Sequence, residues 1–124
     1  MGQMLAYRPM KRLLALPLIA ALAAAAGPPE PGSTLAVDVA LANGKVHEAC
    51  ARLDKGEKRR YHWKSTAPLD FNIHYHEGNE VFYPVKRAGM RGDGGTFVAK
   101  IAQDYCWMWT ARGADATVTG EIRP

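Results

Sequence analysis

The stretch Asp70–Gly78, with the sequence DFNIHYHEG, is typical of a β-strand that has two different faces. Apolar residues at positions 71, 73 and 75 alternate with polar residues at positions 72, 74 and 76. Because successive side chains of a strand point to opposite sides, this period predicts one core-facing side. We expect the other side, which carries Asn72, His74 and His76, to face solvent.

Short alternating segments separated by turn residues recur along the rest of the chain. Pro84 favours an edge strand or a bulge, and Tyr105–Trp109 is apolar enough to be a central strand. Ser65–Pro68 is predicted as a connection, and Ala88–Gly95, with four glycines in eight residues, as a loop. Strands are predicted over residues 35–41, 46–53, 58–64, 69–76, 80–86, 96–102, 105–109 and 117–122. Six to eight short strands of this kind predict an all-β fold, an antiparallel β-sandwich.

The amino-terminal segment has the three-part pattern of a secretory signal. The basic patch Met10–Arg12 precedes an apolar run of 14 residues, Leu13–Ala26, which ends in small alanines. A membrane anchor through an uncleaved signal is the alternative. It is disfavoured because the run is shorter than the roughly 20 residues that span a bilayer. We therefore predict a cleaved signal peptide over residues 1–26, a flexible tether over 27–34 and one β-sandwich domain over 35–124, exported to the periplasm or secreted.

The positive charge of the whole chain comes largely from this segment. The full sequence carries a net charge of +4, but removal of Arg8, Lys11 and Arg12 leaves 13 basic residues against 12 acidic ones. A nearly balanced domain gives no electrostatic footprint for nucleic acid. We expect no nucleic-acid partner.

Cys50 and Cys106 are the two cysteines of the chain. Two cysteines in an exported protein predict one disulfide, because export places the chain in an oxidising compartment. Two free thiols, or a metal site built on thiolates, are the alternatives.

The order of several features resembles the GOLD domain, the β-sandwich of early-secretory cargo receptors in eukaryotes. The matching segments are Glu48–Leu53, Tyr61–Trp63, Leu69–Ile73, Gly95–Phe97 and Asp104–Cys106. The resemblance implies a sandwich of GOLD-like or jelly-roll type, and a non-enzymatic module that binds protein or lipid. Phe71–Glu77 and Tyr105–Trp109 are also similar to stretches of small exported bacterial proteins, from which no activity carries over.

His74 and His76 are the candidate metal ligands, since residues two apart on a strand project from the same face. With Glu77, or with His62 from a neighbouring strand, they could bind Zn²⁺ or Cu²⁺, which imidazole serves well. The alternative is a polar strand face without a metal, in which case no cofactor is expected. A blue-copper centre is not favoured, because no histidine follows Cys106.

Residues for covalent catalysis are not apparent. A thiol nucleophile needs a free thiolate and an adjacent base, and a disulfide removes the thiol. We therefore expect an exported, non-enzymatic binding module for a protein, lipid or small molecule, with Asn72, His74 and His76 as its binding surface. A periplasmic copper- or zinc-binding protein is the alternative function. Trp107 and Trp109 lie on the strand face opposite Cys106 and are expected in the core.

Overall fold

The computed structural model describes residues 32–124, together with the isolated positions 2, 15 and 17. The predicted signal peptide, and the predicted tether up to position 31, lie outside the continuously described part of the chain. No helix among the described residues is long and apolar enough to cross a membrane. The regular elements of residues 32–124 are six strands: β1 (Leu35–Leu41), β2 (Val46–Leu53), β3 (Lys58–Glu77), β4 (Glu80–Val98), β5 (Gln103–Ala111) and β6 (Ala116–Arg123).

All strand pairs are antiparallel and belong to one six-stranded sheet. The strand order is β1-β6-β3-β5-β2, and β4 pairs with β3. Along one edge, residues 60–65 of β3 pair with β6, and residues 69–74 pair with β5. The opposite edge of β3 pairs with β4 along nearly its full length. The β3–β4 hairpin therefore belongs to both halves of a curled sheet.

The corner of this sheet lies where β3 changes partners, at the segment predicted to be a connection. That prediction is wrong, because Ser65–Pro68 continues the strand. Ser65 Oγ donates a hydrogen bond to the carbonyl oxygen of Ala67 (2.7 Å), and Thr66 Oγ1 accepts one from the Thr117 N–H (2.9 Å). Because Pro68 has no N–H to donate, these side chains supply bonds that a regular ladder would make. The register with β4 also shifts between Lys64 and Leu69.

The glycine-rich segment 88–95 is the second correction, because it is part of β4 and not a loop. A Cβ atom at Gly92 would lie 3.0 Å from the Trp63 carbonyl oxygen, and one at Gly94 would lie 3.1 Å from the Tyr61 carbonyl oxygen. Glycine is needed here because the backbones of β3 and β4 approach closely. The predicted strand 96–102 ends early, at Val98.

The core lies between the two halves of the curled sheet and is rich in aromatic side chains. Phe71 occupies its centre, with ring centroids 5.6 Å from Tyr61, 5.3 Å from Trp63 and 5.5 Å from Trp109. Trp107 and Trp109 are 0% and 1% exposed, which confirms their predicted place in the core. Aromatic contacts between the halves stabilise the curl, since each large ring removes extensive apolar surface from water.

The predicted fold class is confirmed: the chain is all-β and antiparallel, with one disulfide between Cys50 and Cys106. The central position of the Tyr105–Trp109 strand is also confirmed, because β5 lies between β3 and β2. The curled single sheet, with its halves packed on a shared core, is compatible with the predicted sandwich.

Candidate functional site

The polar face of the opening strand meets the disulfide. Cys50 pairs directly with Cys106 across β2 and β5, and Cys106 in turn pairs with His74 across β5 and β3. These three residues form a straight row across three strands on the outer side of the sheet, called here the outer row. Glu48 and Asn72 lie two residues further along β2 and β3, and both pair with Met108 of β5.

A polar side chain lies beside each ring nitrogen of His74. Its Nδ1 lies 2.7 Å from Asn72 Oδ1, and its Nε2 lies 3.3 Å from Glu48 Oε1. An amide oxygen can only accept a hydrogen bond, so Nδ1 is the donor in the first contact. Asn72 thereby fixes the ring orientation and directs Nε2 toward the carboxylate of Glu48.

The charge state of His74 depends on its surroundings. Burial is the largest influence and lowers the pKa of His74 below 6.5. The Glu48 carboxylate acts in the opposite direction and raises this pKa, and neighbouring His76 lowers it. Burial dominates because removing the imidazolium from water disfavours its charged form.

The expectation that this face is open to solvent is wrong for two of the three residues. Asn72 is 8% exposed and His74 is 3% exposed. A bulge explains the burial of His74, because β4 places both Tyr83 and Pro84 opposite this residue alone. The Tyr83 ring consequently lies over His74, with ring centroids 5.9 Å apart. Neither Asn72 nor His74 is therefore accessible as part of a binding surface.

The four predicted metal ligands are not brought together. His76 is exposed and lies beside His74, with ring centroids 5.2 Å apart. His62 lies near Glu121, with its Nδ1 4.0 Å from Glu121 Oε1, and Glu77 pairs with Glu80 at the exposed hairpin turn. The described part of the chain instead groups the donor atoms of Glu48, His74 and Cys106, all within 4.8 Å of one another.

Glu48 is the member of this group that was not predicted. It shares a strand face with Cys50, two residues away, and that spacing was visible in the sequence. A disulfide to Cys106 places β2 beside β5, but only the pairing of β5 with β3 brings Glu48 near His74. The sequence contains no local signal for that second pairing.

A second feature is an apolar opening into the core at the turn end of the β3–β4 hairpin. A cavity of about 490 Å³ lies here between β4, the β4–β5 connection and the inner face of β3. Its rim carries four apolar side chains that are 37–46% exposed, Phe82, Tyr83, Val98 and Ile101, called here the apolar mouth. Phe82 stacks on Tyr75, with ring centroids 5.1 Å apart, which connects the rim to the core.

The apolar mouth lies on a strand with a free edge, because β4 pairs with β3 alone among the described strands. Lys100 is the one charged residue among those that line the cavity. Lys86 is not part of the lining; it pairs with Asn72 and has its Nζ 5.0 Å from the Tyr83 ring centroid. The opening is therefore an apolar surface with one positive charge among its lining residues.

Comparison with solved structures gives a likeness in fold. PliG from Aeromonas hydrophila, a periplasmic inhibitor of g-type lysozyme, superposes with a TM-score of 0.55 at 7% identity, over 79% of this chain and 91% of PliG. A de novo designed double-stranded β-helix superposes with a TM-score of 0.39 at 13% identity, over 72% of this chain and 96% of the design. No family model and no curated protein matches the sequence. The GOLD resemblance is thus supported only as far as an all-β fold.

Proposed function

We propose that this chain is an exported, non-enzymatic module that binds another protein through the apolar mouth. The observation that carries the proposal is the exposure of Phe82, Tyr83, Val98 and Ile101 around one cavity. Exposed apolar side chains that gather around a concavity are typical of interaction sites, whereas scattered ones are ordinary. The free edge of β4 adds unpaired backbone groups to the same surface.

The border of the mouth indicates the chemistry of the partner. Lys100 places a positive charge among the residues that line the cavity. A complementary partner segment would present an apolar or aromatic side chain flanked by acidic residues, because opposite potentials across an interface favour the correct partner. Inhibition of a lysozyme is a narrower form of this function, suggested by the PliG likeness.

Export is part of the proposal. The signal-like segment 1–26 would be removed, residues 27–34 would serve as a tether, and residues 35–124 would form the exported domain. The Cys50–Cys106 disulfide supports this destination, because such bonds persist in oxidising compartments. The GOLD-like character of the domain remains a hypothesis.

Site-specific photo-crosslinking in cells that export the protein tests the mouth as a docking site. A photoreactive residue at Ile101 is expected to give one discrete protein adduct, identified by mass spectrometry. The matched control is the same residue at Val46, which is 50% exposed but does not line the cavity. Lys100→Glu should reduce the Ile101 adduct without affecting folding. Equal labelling from both positions, or no adduct from Ile101, would reject the proposal.

The lysozyme version has its own assay. The purified chain is mixed with g-type lysozyme, and lysis of bacterial cell walls is followed by turbidity. Inhibition that Phe82→Ser abolishes and Val46→Ser preserves would support it. Full lysozyme activity at an excess of the chain would exclude this partner and leave the crosslinking result to decide the broader proposal.

Metal binding is the second candidate function, because Asn72 orients Nε2 of His74 toward Glu48 and His76 lies alongside. In the disulfide form these side chains offer imidazole and carboxylate donors suited to Cu²⁺ or Zn²⁺. Titration of the oxidised protein with Cu²⁺ tests this candidate, with His62→Ala as the control for His76→Ala. Affinity weaker than about 10 μM would exclude it.

A further inference from the structure

The outer row brings two sulfur atoms to a buried histidine. Cys50, Cys106 and His74 are consecutive cross-strand partners, and the Cα atoms of the two cysteines are 4.1 Å apart. The donor atoms of Glu48, His74 and Cys106 already lie within 4.8 Å of one another. The Cys50 sulfur is bonded to that of Cys106, so reduction would free two thiolates close to the imidazole and the carboxylate.

His74 is positioned as metal-binding histidines commonly are. Such residues usually donate one ring N–H to a fixed acceptor while the other nitrogen holds the metal. Asn72 Oδ1 provides that acceptor at 2.7 Å, and Nε2 points to the Glu48 carboxylate. The Tyr83 ring covers the imidazole, and His74 is buried. The imidazole is therefore held in one orientation by its neighbours, unlike a side chain that is free in solvent.

We propose that reduction of the disulfide converts the outer row into a zinc site formed by Cys50, Cys106, His74 and Glu48. Structural zinc is four-coordinate and tetrahedral and accepts sulfur, imidazole nitrogen and carboxylate oxygen. The disulfide removes both thiolates from this set, so the oxidised chain retains only His74 and Glu48. The difference between the redox forms separates this site from copper binding by the oxidised protein.

The chemistry requires a dithiol as the reductant. One thiolate of the dithiol attacks a sulfur of the protein, the S–S bond breaks, and a mixed disulfide forms. The second thiol of the reductant resolves this intermediate, so the protein gains two electrons and two protons while the dithiol becomes a disulfide. Zn²⁺ then binds both sulfurs as thiolates and releases the two protons to solvent.

The exposure of the two cysteines determines which sulfur atom the reductant attacks. Cys50 is exposed and Cys106 is half-buried beside His74. The reductant can therefore reach the Cys50 sulfur, and the Cys106 thiolate is the leaving group. This thiolate is released next to the imidazole and becomes available to the metal at its final position.

Cobalt and zinc titrations of the two redox forms test the proposal. The full chain is reduced with a dithiol, freed of reductant without oxygen, and titrated with Co²⁺, whose thiolate charge-transfer band reports sulfur ligation. We expect one metal ion per reduced chain and displacement of Co²⁺ by Zn²⁺. The oxidised chain should bind Zn²⁺ at least about 10-fold more weakly, which corresponds to about 1.4 kcal/mol.

Two variants and one control assign the ligands. Glu48→Gln and His74→Ala should each weaken zinc binding by the reduced chain at least about 10-fold. His62→Ala should bind normally, because that exposed histidine lies near Glu121 and outside the outer row. Glu48 is exposed, so its substitution tests the site even if His74→Ala does not fold.

Three outcomes would overturn the proposal. The first is equal zinc affinity of the oxidised and reduced chains. The second is a charge-transfer band that persists unchanged in Glu48→Gln and in a folded His74→Ala. The third is a reduced chain that loses its β-sheet circular dichroism and does not regain it on addition of Zn²⁺.

Discussion

Gly120→Ala is the substitution whose cost can be worked most directly from the structure. Gly120 lies in β6 directly opposite Trp63 of β3, on the inner side of the strand between Val118 and Ile122. A Cβ atom there would lie 2.7 Å from the Trp63 Cα and would overlap the carbonyl oxygen of His62. Because the obstacles are backbone atoms, no change of rotamer can relieve the contact.

The expected loss follows from the cost of overpacking. Extra methyl groups in a packed core cost about 1–3 kcal/mol. The β3 backbone opposite Gly120 cannot move aside as a side chain can, so we expect a cost near the upper end of this range. A loss of about 3 kcal/mol in a domain of this size corresponds to a decrease in Tm of roughly 12–24 °C. Urea denaturation followed by tryptophan fluorescence gives the free energy, and a thermal melt by circular dichroism gives Tm.

Gly95→Ala is the matched control in the other strand that pairs with this part of β3. A Cβ atom at Gly95 would make only ordinary contact, 3.6 Å from Tyr61 Oη. Its free energy of unfolding should change by less than about 1 kcal/mol, with a tendency to increase because alanine restricts the unfolded chain. Equal stability of the two variants, or a loss below about 1 kcal/mol for Gly120→Ala, would refute the close approach of β6 and β3.

Two further predictions concern the disulfide and the buried histidine. The double variant Cys50→Ser/Cys106→Ser should lose about 4 kcal/mol of stability on the loop-entropy model, because the disulfide closes a loop with a sequence separation of 56; urea unfolding with a loss below about 1 kcal/mol would contradict this. Since burial lowers the pKa of His74 below 6.5, the unfolded chain gains the proton first on acidification, and stability should fall as the pH drops below 6.5. Glu48→Gln removes the carboxylate that raises this pKa, so the loss of stability below pH 6.5 should become larger; identical pH profiles would contradict the contact.

Side-chain alternation was sufficient to predict much of the fold. The alternating segments of β1, β2, β5 and β6 all form strands, because one core-facing side forces a period of two. The segments at 65–68 and 88–95 were predicted wrongly for a common reason. Proline and clustered glycines ordinarily interrupt a strand, but here Ser65 and Thr66 supply the missing bonds and the glycines admit a close neighbouring backbone.

The candidate site was predicted less well than the fold. His74 and His76 were correctly placed on one face, and Cys50 was correctly paired with Cys106. The burial of His74 depends on Tyr83, which reaches it through a bulge in the neighbouring strand. A bulge is a mismatch between two strands, so the alternation within either strand does not report it.

The sequence by itself determined the all-β class, the strand character of the alternating segments in β1, β2, β5 and β6, and the pairing of Cys50 with Cys106. These are local or compositional properties, set by backbone geometry and by the chemistry of thiols. Only the tertiary structure decided that β3 serves both halves of the sheet, that Glu48 meets His74, and that Tyr83 covers the imidazole. These depend on the choice and register of strand partners distant in sequence, which the packing of the whole aromatic core selects.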